Sequence, residues 1–378
     1  MAAPQAYDVI VAGVGGMGSA ACWQLARRDK RVLGLERFDI PHAMGSSHGV
    51  NRIIRLAYFE HPSYVPLLRR AYELWREAED AFGERLLYVT GGVDTGPADG
   101  RVVRGALASC REHGLPYEQF TAAELRARYP GYRMPDDFTA IVQPDAGFVA
   151  SERGIVAHAQ LALNAGADIR AREPILGWEI TGSGTVRVRT PKGAYEAERL
   201  VLSTGAWIAD HVPALRRTAV PERQVLGWFR PLRPEHFALG RFPIGIIDGG
   251  RLLYVFPEWG IPGFKIGVYN HLRENGQADA LSREPNGADE ALLREALAAY
   301  FPDANGPALT LRACLFTNTP DEHFVLDTLP DAPQVVVSSP CSGHGYKFAS
   351  VMGEVLADFA TDAAPRFDLS LFRLARLQ

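Results

Sequence analysis

Cysteine is scarce. The 378 residues contain four, Cys22, Cys110, Cys314 and Cys341, and no two stand as a CxxC pair. No paired-thiol motif is available, and a chain this long has little need of disulfides. No run of lysine and arginine stands out either. With 40 basic against 44 acidic residues the net charge is −4, so nucleic acid is not an expected partner. No stretch approaches the roughly 18 uninterrupted apolar residues of a transmembrane helix, so no membrane partner is expected. The segment before Tyr7 lacks the basic, apolar and small-residue order of a signal peptide, and the cytoplasm is the expected location. Internal repeats and low-complexity linkers are absent, and no metal site is expected. What remains is ordinary globular composition, 47% hydrophobic and 22% charged, long enough for two domains or one large interleaved one.

The most informative stretch runs from Tyr7 to Glu36. An apolar run, Val9 to Ala12, leads into Gly13-Val14-Gly15-Gly16-Met17-Gly18. A helical segment follows from about Ser19 to Arg28, and a second apolar run, Val32 to Leu35, ends at Glu36. Strand, glycine turn, helix, strand and acid form the order of a dinucleotide-binding βαβ unit. Gly13 permits the tight turn, Gly15 lets the backbone approach a pyrophosphate, and Gly18 lets helix and strand pack closely. The helix N-terminus offers free N–H groups and partial positive charge to phosphates. Glu36 can accept hydrogen bonds from a ribose diol. This unit alone does not choose between NAD and FAD.

Further along, helical spacing covers Pro66 to Phe82, Arg101 to His113, Thr121 to Tyr129 and Ser151 to Gly166. Thr121 and Glu124 form a capping box. Leu86 to Val93 reads as one strand, and Ala140 to Val142 as a short one. Ile175 to Thr181 and Thr185 to Thr190 flank Gly182-Ser183-Gly184 as a hairpin. Leu200 to Ser203 is another apolar run. Strands at 224–230, 245–247, 252–256 and 264–269 follow with no long helix between them, which predicts an antiparallel sheet. A helix at Asp289 to Tyr300 and strands at 309–316 and 335–338 come next. Gly343-His344-Gly345-Tyr346-Lys347 then opens a helix to about Ala360. This order implies two domains interleaved in sequence, with a ligand cleft between them.

Several separated blocks together resemble one family. They are GVGGMG with Glu36, PHAMGSSHGVNRIIR, STGAW at Ser203 to Trp207, Tyr254 in LLYVFP and Lys265 in GFKIG. Cys314 in RACLFTNTPDEHFVLD and SGHGYKF at Ser342 to Phe348 complete the set. Their order over nearly the whole chain is similar to that of the monomeric sarcosine oxidase and N-methyltryptophan oxidase group of flavoenzymes. The resemblance implies an α/β architecture, with a Rossmann-type FAD-binding domain interleaved with an α+β substrate domain built on an antiparallel sheet. The FAD-binding parts would be 1–85, 145–215 and 314–378, and the substrate parts 86–144 and 216–313.

The resemblance also implies roles. Cys314 matches the cysteine that bonds the flavin covalently, and Lys265 the lysine that activates dioxygen at the flavin face. Arg55 and Lys347 match the pair that holds a substrate carboxylate, and Arg52 an arginine near the flavin ring. Tyr254 matches an active-site tyrosine, and His48 a histidine near the flavin. The implied cofactor contacts are Gly13, Gly15, Gly16, Met17, Gly18, Glu36, Arg37, Ser46, His48, Arg52, Gly205, Trp207, Cys314, Gly343, His344, Gly345 and Lys347. Read without the family, Cys314 is a buried hydrophobe, Lys265 a surface strand lysine, and Arg52 and Arg55 a solvated helix face. Cys22, Cys110 and Cys341 read as packing.

One position departs. Sarcosine-specific members carry a histidine four residues after the lysine, and this chain has Tyr269. Tyrosine is larger and does not titrate near neutrality. The expected activity is therefore FAD-dependent oxidation of a secondary amino acid, with sarcosine the first choice, by a monomer that uses dioxygen. A relative acting on pipecolate, a proline-like imino acid or N-methyltryptophan is the nearest alternative. An NAD-linked dehydrogenase and a non-catalytic flavin-binding module are more distant ones.

Overall fold

The computed structural model describes residues 6–377. The strand Ala6–Ala12 pairs in parallel with Val32–Leu35 on one side and Gly193–Leu202 on the other. Around this trio an eight-stranded sheet forms. Asp168–Arg170 extends it beyond Val32–Leu35, and the antiparallel hairpin Gly177–Ile180/Val186–Thr190 closes the other flank. Ala332–Ser339 also joins Gly193–Leu202 in parallel, so the C-terminal part of the chain returns to the first strand's sheet.

The helix Gly16–Ala26 buries nearly every residue because it is covered on both sides. It packs against the helices Ser151–Asn164 and Ala349–Ala360. Gly353 makes the second contact possible, since a Cβ there would stand 2.6 Å from the Ala20 carbonyl carbon. Cys22 faces Gly34 in this core, and burial pushes its thiol pKa up to about 12. Both Cys22 and Cys110 are free and buried, as packing residues should be.

A second eight-stranded sheet has the order 308–318, 220–229, 264–268, 252–256, 244–248, 92–97, 138–143, 118–121. All its pairs are antiparallel except 92–97 with 244–248. Thus the expected antiparallel sheet exists, and it also recruits three strands from much earlier in the chain. The helix Gly287–Tyr300 lies on this sheet, over a core that includes Phe237, Phe242, Phe264 and Phe301. Its capping residue Asn286 and the buried Asp289 form a capping box. Asp289 is also gripped by the buried Arg223 at 2.8 Å and by His271 at 3.0 Å.

Two expectations are corrected. Leu86 to Val93 is not one strand but two in different sheets, Leu87–Val89 and Gly92–Pro97. Gly91 has φ +74°, and that left-handed residue redirects the chain. Arg52 and Arg55 do not lie on a helix. Arg52 sits within the strand Asn51–Ile54 and Arg55 directly after it. This strand pairs with Gly147–Ala150, which in turn pairs with Leu87–Val89 to make a third, small sheet. Among the described residues no helix is long and apolar enough to cross a membrane.

Candidate active site

A cavity of about 820 Å³ begins at the glycine turn and extends to the start of the last long helix. The first part of its wall is Gly13 to Met17, Glu36, Arg37 and Ser203 to Trp207. Gly13 has φ +87°, and a Cβ on Gly18 would lie 1.8 Å from the Gly13 oxygen. Turn and helix therefore touch backbone to backbone, as two of the glycine roles require. Gly15 faces open space, with nothing within 4 Å of a Cβ placed there. Glu36 accepts from the Val14 N–H at 2.8 Å and the Phe38 N–H at 3.0 Å, so its carboxylate braces the turn. Arg37 spans the rings of Phe38 and Trp207 and pairs with Asp279, which also accepts from the Trp207 indole.

The next part of the wall holds Ser46, Arg52 and Cys314. Arg52 donates to the Ser46 and Asn51 carbonyls, both at 2.9 Å. Cys314 is buried at the edge of the cavity, and burial raises its thiol pKa, opposed by the charges of Arg52, Lys265 and Arg283. Lys265 does not face the cavity. It lies one layer behind, 4.1 Å from the ring of the cavity-lining Phe256. Its ammonium donates to the Gly49 carbonyl at 2.8 Å, the Asn51 carbonyl at 2.7 Å and Asn51 Oδ1 at 2.6 Å. Burial pushes its pKa well below the usual lysine value, helped by the charge of Arg52. His48 is also behind the wall. It is buried, neither ring nitrogen has a partner among the described residues, and burial drives its pKa down to about 3. That imidazole is neutral at physiological pH.

The far part of the wall carries two cations on one aromatic ring. The Arg55 guanidinium lies 4.5 Å from the centre of the Tyr58 ring, and Lys347 Nζ lies 5.1 Å from it. Both residues are buried and line the cavity. Arg55 forms a 2.7 Å ion pair with the buried Glu60, donates to the Ala57 carbonyl, and has an unpartnered Nε. Burial opposes the charge on Arg55, but Glu60 outweighs it and raises the pKa. Burial likewise opposes ionisation of Glu60, and Arg55 holds its carboxyl below the usual range. Lys347 Nζ donates to the His344 carbonyl at 2.6 Å, and burial lowers its pKa to about 7. His344 Nε2 donates to the Glu322 carbonyl, which leaves Nδ1 to accept from the Tyr58 hydroxyl. Burial lowers the His344 pKa to about 4, and the ring is a fixed neutral hinge.

Tyr254, Tyr269 and Phe316 form an aromatic wall, with Tyr269 5.0 Å from Phe316 and 6.0 Å from Tyr254 between ring centres. Gly267 leaves the room for Tyr254, since a Cβ there would meet that ring at 2.2 Å. Gly343, at φ +76°, lies under Tyr269 and Phe316, and a Cβ on Gly345 would be 1.5 Å from the Pro340 oxygen. The turn 343–345 thus tolerates no side chain at either glycine.

The cavity therefore gathers most of the residues singled out in the sequence, while Gly18, His48 and Lys265 support its wall from behind. Glu60, Tyr58, Asp94 and Gln143 were not read from the sequence. Asp94 carried a signal, an acid inside a strand that is otherwise small and apolar. The donor set fits FAD. Gly15 and an N-terminal helix turn with no side-chain cap would hold a pyrophosphate. The buried hydroxyls of Ser46 and Thr204 line the cavity without a partner.

A sheet whose first strand opens on a glycine turn, joined to a cavity lined by two cations and an aromatic wall, fits a dinucleotide-dependent oxidoreductase. More narrowly, the chain belongs to the FAD dependent oxidoreductase family, whose model matches residues 8–359. The monomeric sarcosine oxidase of Streptomyces avermitilis is 39% identical over 98% of both chains. The N-methyl-L-tryptophan oxidase of Salmonella typhimurium is 36% identical over 98% of this chain and 99% of its own. Among solved structures, NikD, an unusual amino acid oxidase essential for nikkomycin biosynthesis, superposes with a TM-score of 0.84 at 25% identity. It covers 98% of this chain and 97% of its own. Glycine oxidase from Geobacillus kaustophilus, at 20% identity and a TM-score of 0.83 over 98% and 99%, shares the fold. The chain is a flavoprotein amine oxidase, and the resemblance read from its motifs holds over 98% of its length.

Proposed function

We propose that the enzyme oxidises secondary N-methyl amino acids, with sarcosine as the first substrate and dioxygen as the acceptor. The observation that carries this reading is the pair of buried cations, Arg55 and Lys347, on one ring at the closed part of the cavity. One carboxylate suits that pair. An arginine fork grips both oxygens and a lysine adds a point charge. Within the guanidinium, Nη2 is held by Glu60 and Nη1 by the Ala57 carbonyl, so the enclosed Nε–H is left without a partner among the described residues. Bound FAD supplies the two-electron acceptor for the carbon–nitrogen bond, so that sarcosine, water and dioxygen end as glycine, formaldehyde and hydrogen peroxide. The amine must be neutral to react, so the site selects the free base. Tyr254, Tyr269 and Phe316 exclude water from one side of the substrate. Lys265 holds positive charge behind Phe256, where it favours dioxygen reduction.

FAD would be attached through Cys314. Its thiol is free, enclosed and at the cavity surface, which suits attachment. The Cys314→Ala variant is expected to lose all its flavin on acid precipitation, whereas the parent pellet stays yellow. Flavin retained by the precipitated variant would reject this assignment. The FAD-binding body would comprise 1–85, 145–215 and 314–378, in a cytoplasmic monomer.

Anaerobic titration with sarcosine, N-methyltryptophan, pipecolate and proline, read by flavin absorbance, tests the substrate. Bleaching by sarcosine at the lowest concentration is the expected result. The aromatic wall completed by Tyr269 favours a second reading, a bulkier secondary amino acid, and preferential bleaching by the larger compounds would establish it. No bleaching by any of them would reject both.

A further inference from the structure

Behind the two cations stands a buried acid that the chemistry above does not use. Asp94 is fully enclosed in the strand Gly92–Pro97, paired to Ile141 on one side and to the cavity-lining Ile246 on the other. Its Oδ2 accepts from Gln143 Nε2 at 2.8 Å, while Oδ1 has no partner among the described residues. Gln143 is itself buried, and its Oε1 accepts from the Ala57 N–H at 3.0 Å. The Ala57 carbonyl accepts from Arg55 Nη1 at 2.9 Å. The chemistry sets the amide's orientation. A backbone N–H can meet only the amide oxygen, so the amide nitrogen must face Asp94. A continuous chain of hydrogen bonds thus runs from Asp94 to the guanidinium.

We propose that Asp94 is a positioning residue of the carboxylate clamp, an inference resting on the reading of Arg55 and Lys347 as that clamp. It holds Arg55 through Gln143 and Ala57, and its own ionisation weakens the grip on an anion. A carboxylate enclosed without a counter-ion, with one oxygen unmet, favours the neutral acid. Burial raises the Asp94 pKa to about 7, opposed by Arg55 and assisted by Glu60. The charged groups that act on it from the clamp side are Arg55, Glu60 and Lys347. From the other side Cys110 and Tyr132 feel its charge, and both stay neutral because burial raises their pKa values.

The sign follows. Below neutrality Asp94 is neutral and Lys347 charged, so Arg55, Lys347 and Glu60 leave one net positive charge. Above neutrality Lys347 loses its proton and Asp94 gains a charge, and the same group becomes net negative. Anion binding is therefore tightest on the acid side, and Asp94 accounts for a separable part of the loss.

Methoxyacetate, which has the carboxylate but no oxidisable amine, is the probe. Its dissociation constant is measured on the FAD-loaded enzyme by calorimetry between about pH 6 and pH 9. For Asp94→Asn, neutral at every pH, the wild-type-to-variant ratio is expected near one in acid and roughly tenfold at the alkaline end. The ratio reads the whole effect of the Asp94 charge, including its support of the charge on Lys347. A ratio that does not change with pH overturns the role of ionisation. Gln143→Leu is expected to weaken methoxyacetate about tenfold at every pH, by releasing Ala57 and through it Arg55. An unchanged constant there overturns the positioning role. Arg55→Lys separates the two readings. If it leaves methoxyacetate binding intact, the clamp itself is wrong. If it weakens binding while the Asp94 and Gln143 variants do not, only the present inference fails.

Discussion

Arg55→Ala should raise the dissociation constant for the amino-acid substrate about a hundredfold, equivalent to ~2.7 kcal/mol of lost charge-assisted hydrogen bonding. Anaerobic flavin titration reads it directly, and an unchanged constant would remove Arg55 from substrate binding. A second effect comes with it. Glu60 forms a 2.7 Å pair with Arg55 and is almost wholly enclosed, so the variant leaves a buried carboxylate unpaired. Breaking such a pair from one side costs about 3–5 kcal/mol, which lowers the thermal midpoint by several degrees. In the parent enzyme Arg55 holds the Glu60 pKa down, so the pair's contribution is present above the ordinary carboxylate pKa of about 4.3 and lost in acid. In the variant burial is opposed only by the more weakly acting His344 and Lys347, Glu60 titrates higher, and stability falls at neutral pH. Adding Glu60→Gln should restore stability without restoring affinity. That split separates the loss of a ligand contact from the loss of a structural pair.

Lys265→Met should slow reoxidation of the reduced flavin by dioxygen about a hundredfold or more while changing its reduction by substrate less than threefold. Stopped-flow measurement of the two half-reactions decides it, and equal slowing of both would assign Lys265 to substrate handling. The geometry favours the asymmetric result. The ammonium has three acceptors at 2.6–2.8 Å and does not line the cavity, so substrate has no route to touch it. Its field reaches the cavity through Phe256. Methionine keeps the length of the side chain against Trp228 and Phe256 but leaves Asn51 Oδ1 without its donor, while the Gly49 carbonyl keeps the Asn51 N–H and the Asn51 carbonyl keeps Arg52. Because burial lowers the Lys265 pKa, reoxidation in the parent enzyme should slow as pH rises and the ammonium is lost.

Much of this molecule is legible locally. The unit from Tyr7 to Glu36 is contiguous, and each of its features acts within a few residues. A glycine in the left-handed region, a glycine touching its own turn, and an acid returning to the Val14 N–H are all short-range requirements. Helix periods, the capping box at Thr121 and the 177–190 hairpin are short-range for the same reason. The pair Arg52 and Arg55 is misread because a spacing of three suits a helix face, whereas Asn51–Ile54 is a strand held by Gly147–Ala150. Gly91 breaks what looks like one strand, and alternation alone cannot show that its two halves join different sheets.

By itself, then, the sequence determined the opening βαβ unit, the long helices and, by its ordered motifs, the family. The tertiary structure alone decided what surrounds each charge. It put Glu60 on Arg55, closed the ring of carbonyls around Lys265, and linked Ala57 to Gln143 across 86 residues and Gln143 to Asp94 across 49. A side chain's charge state depends on burial and on partners brought in from other strands. Periodicity along the chain carries no record of either, so the chemistry of the buried charges at the clamp is a property of the folded molecule.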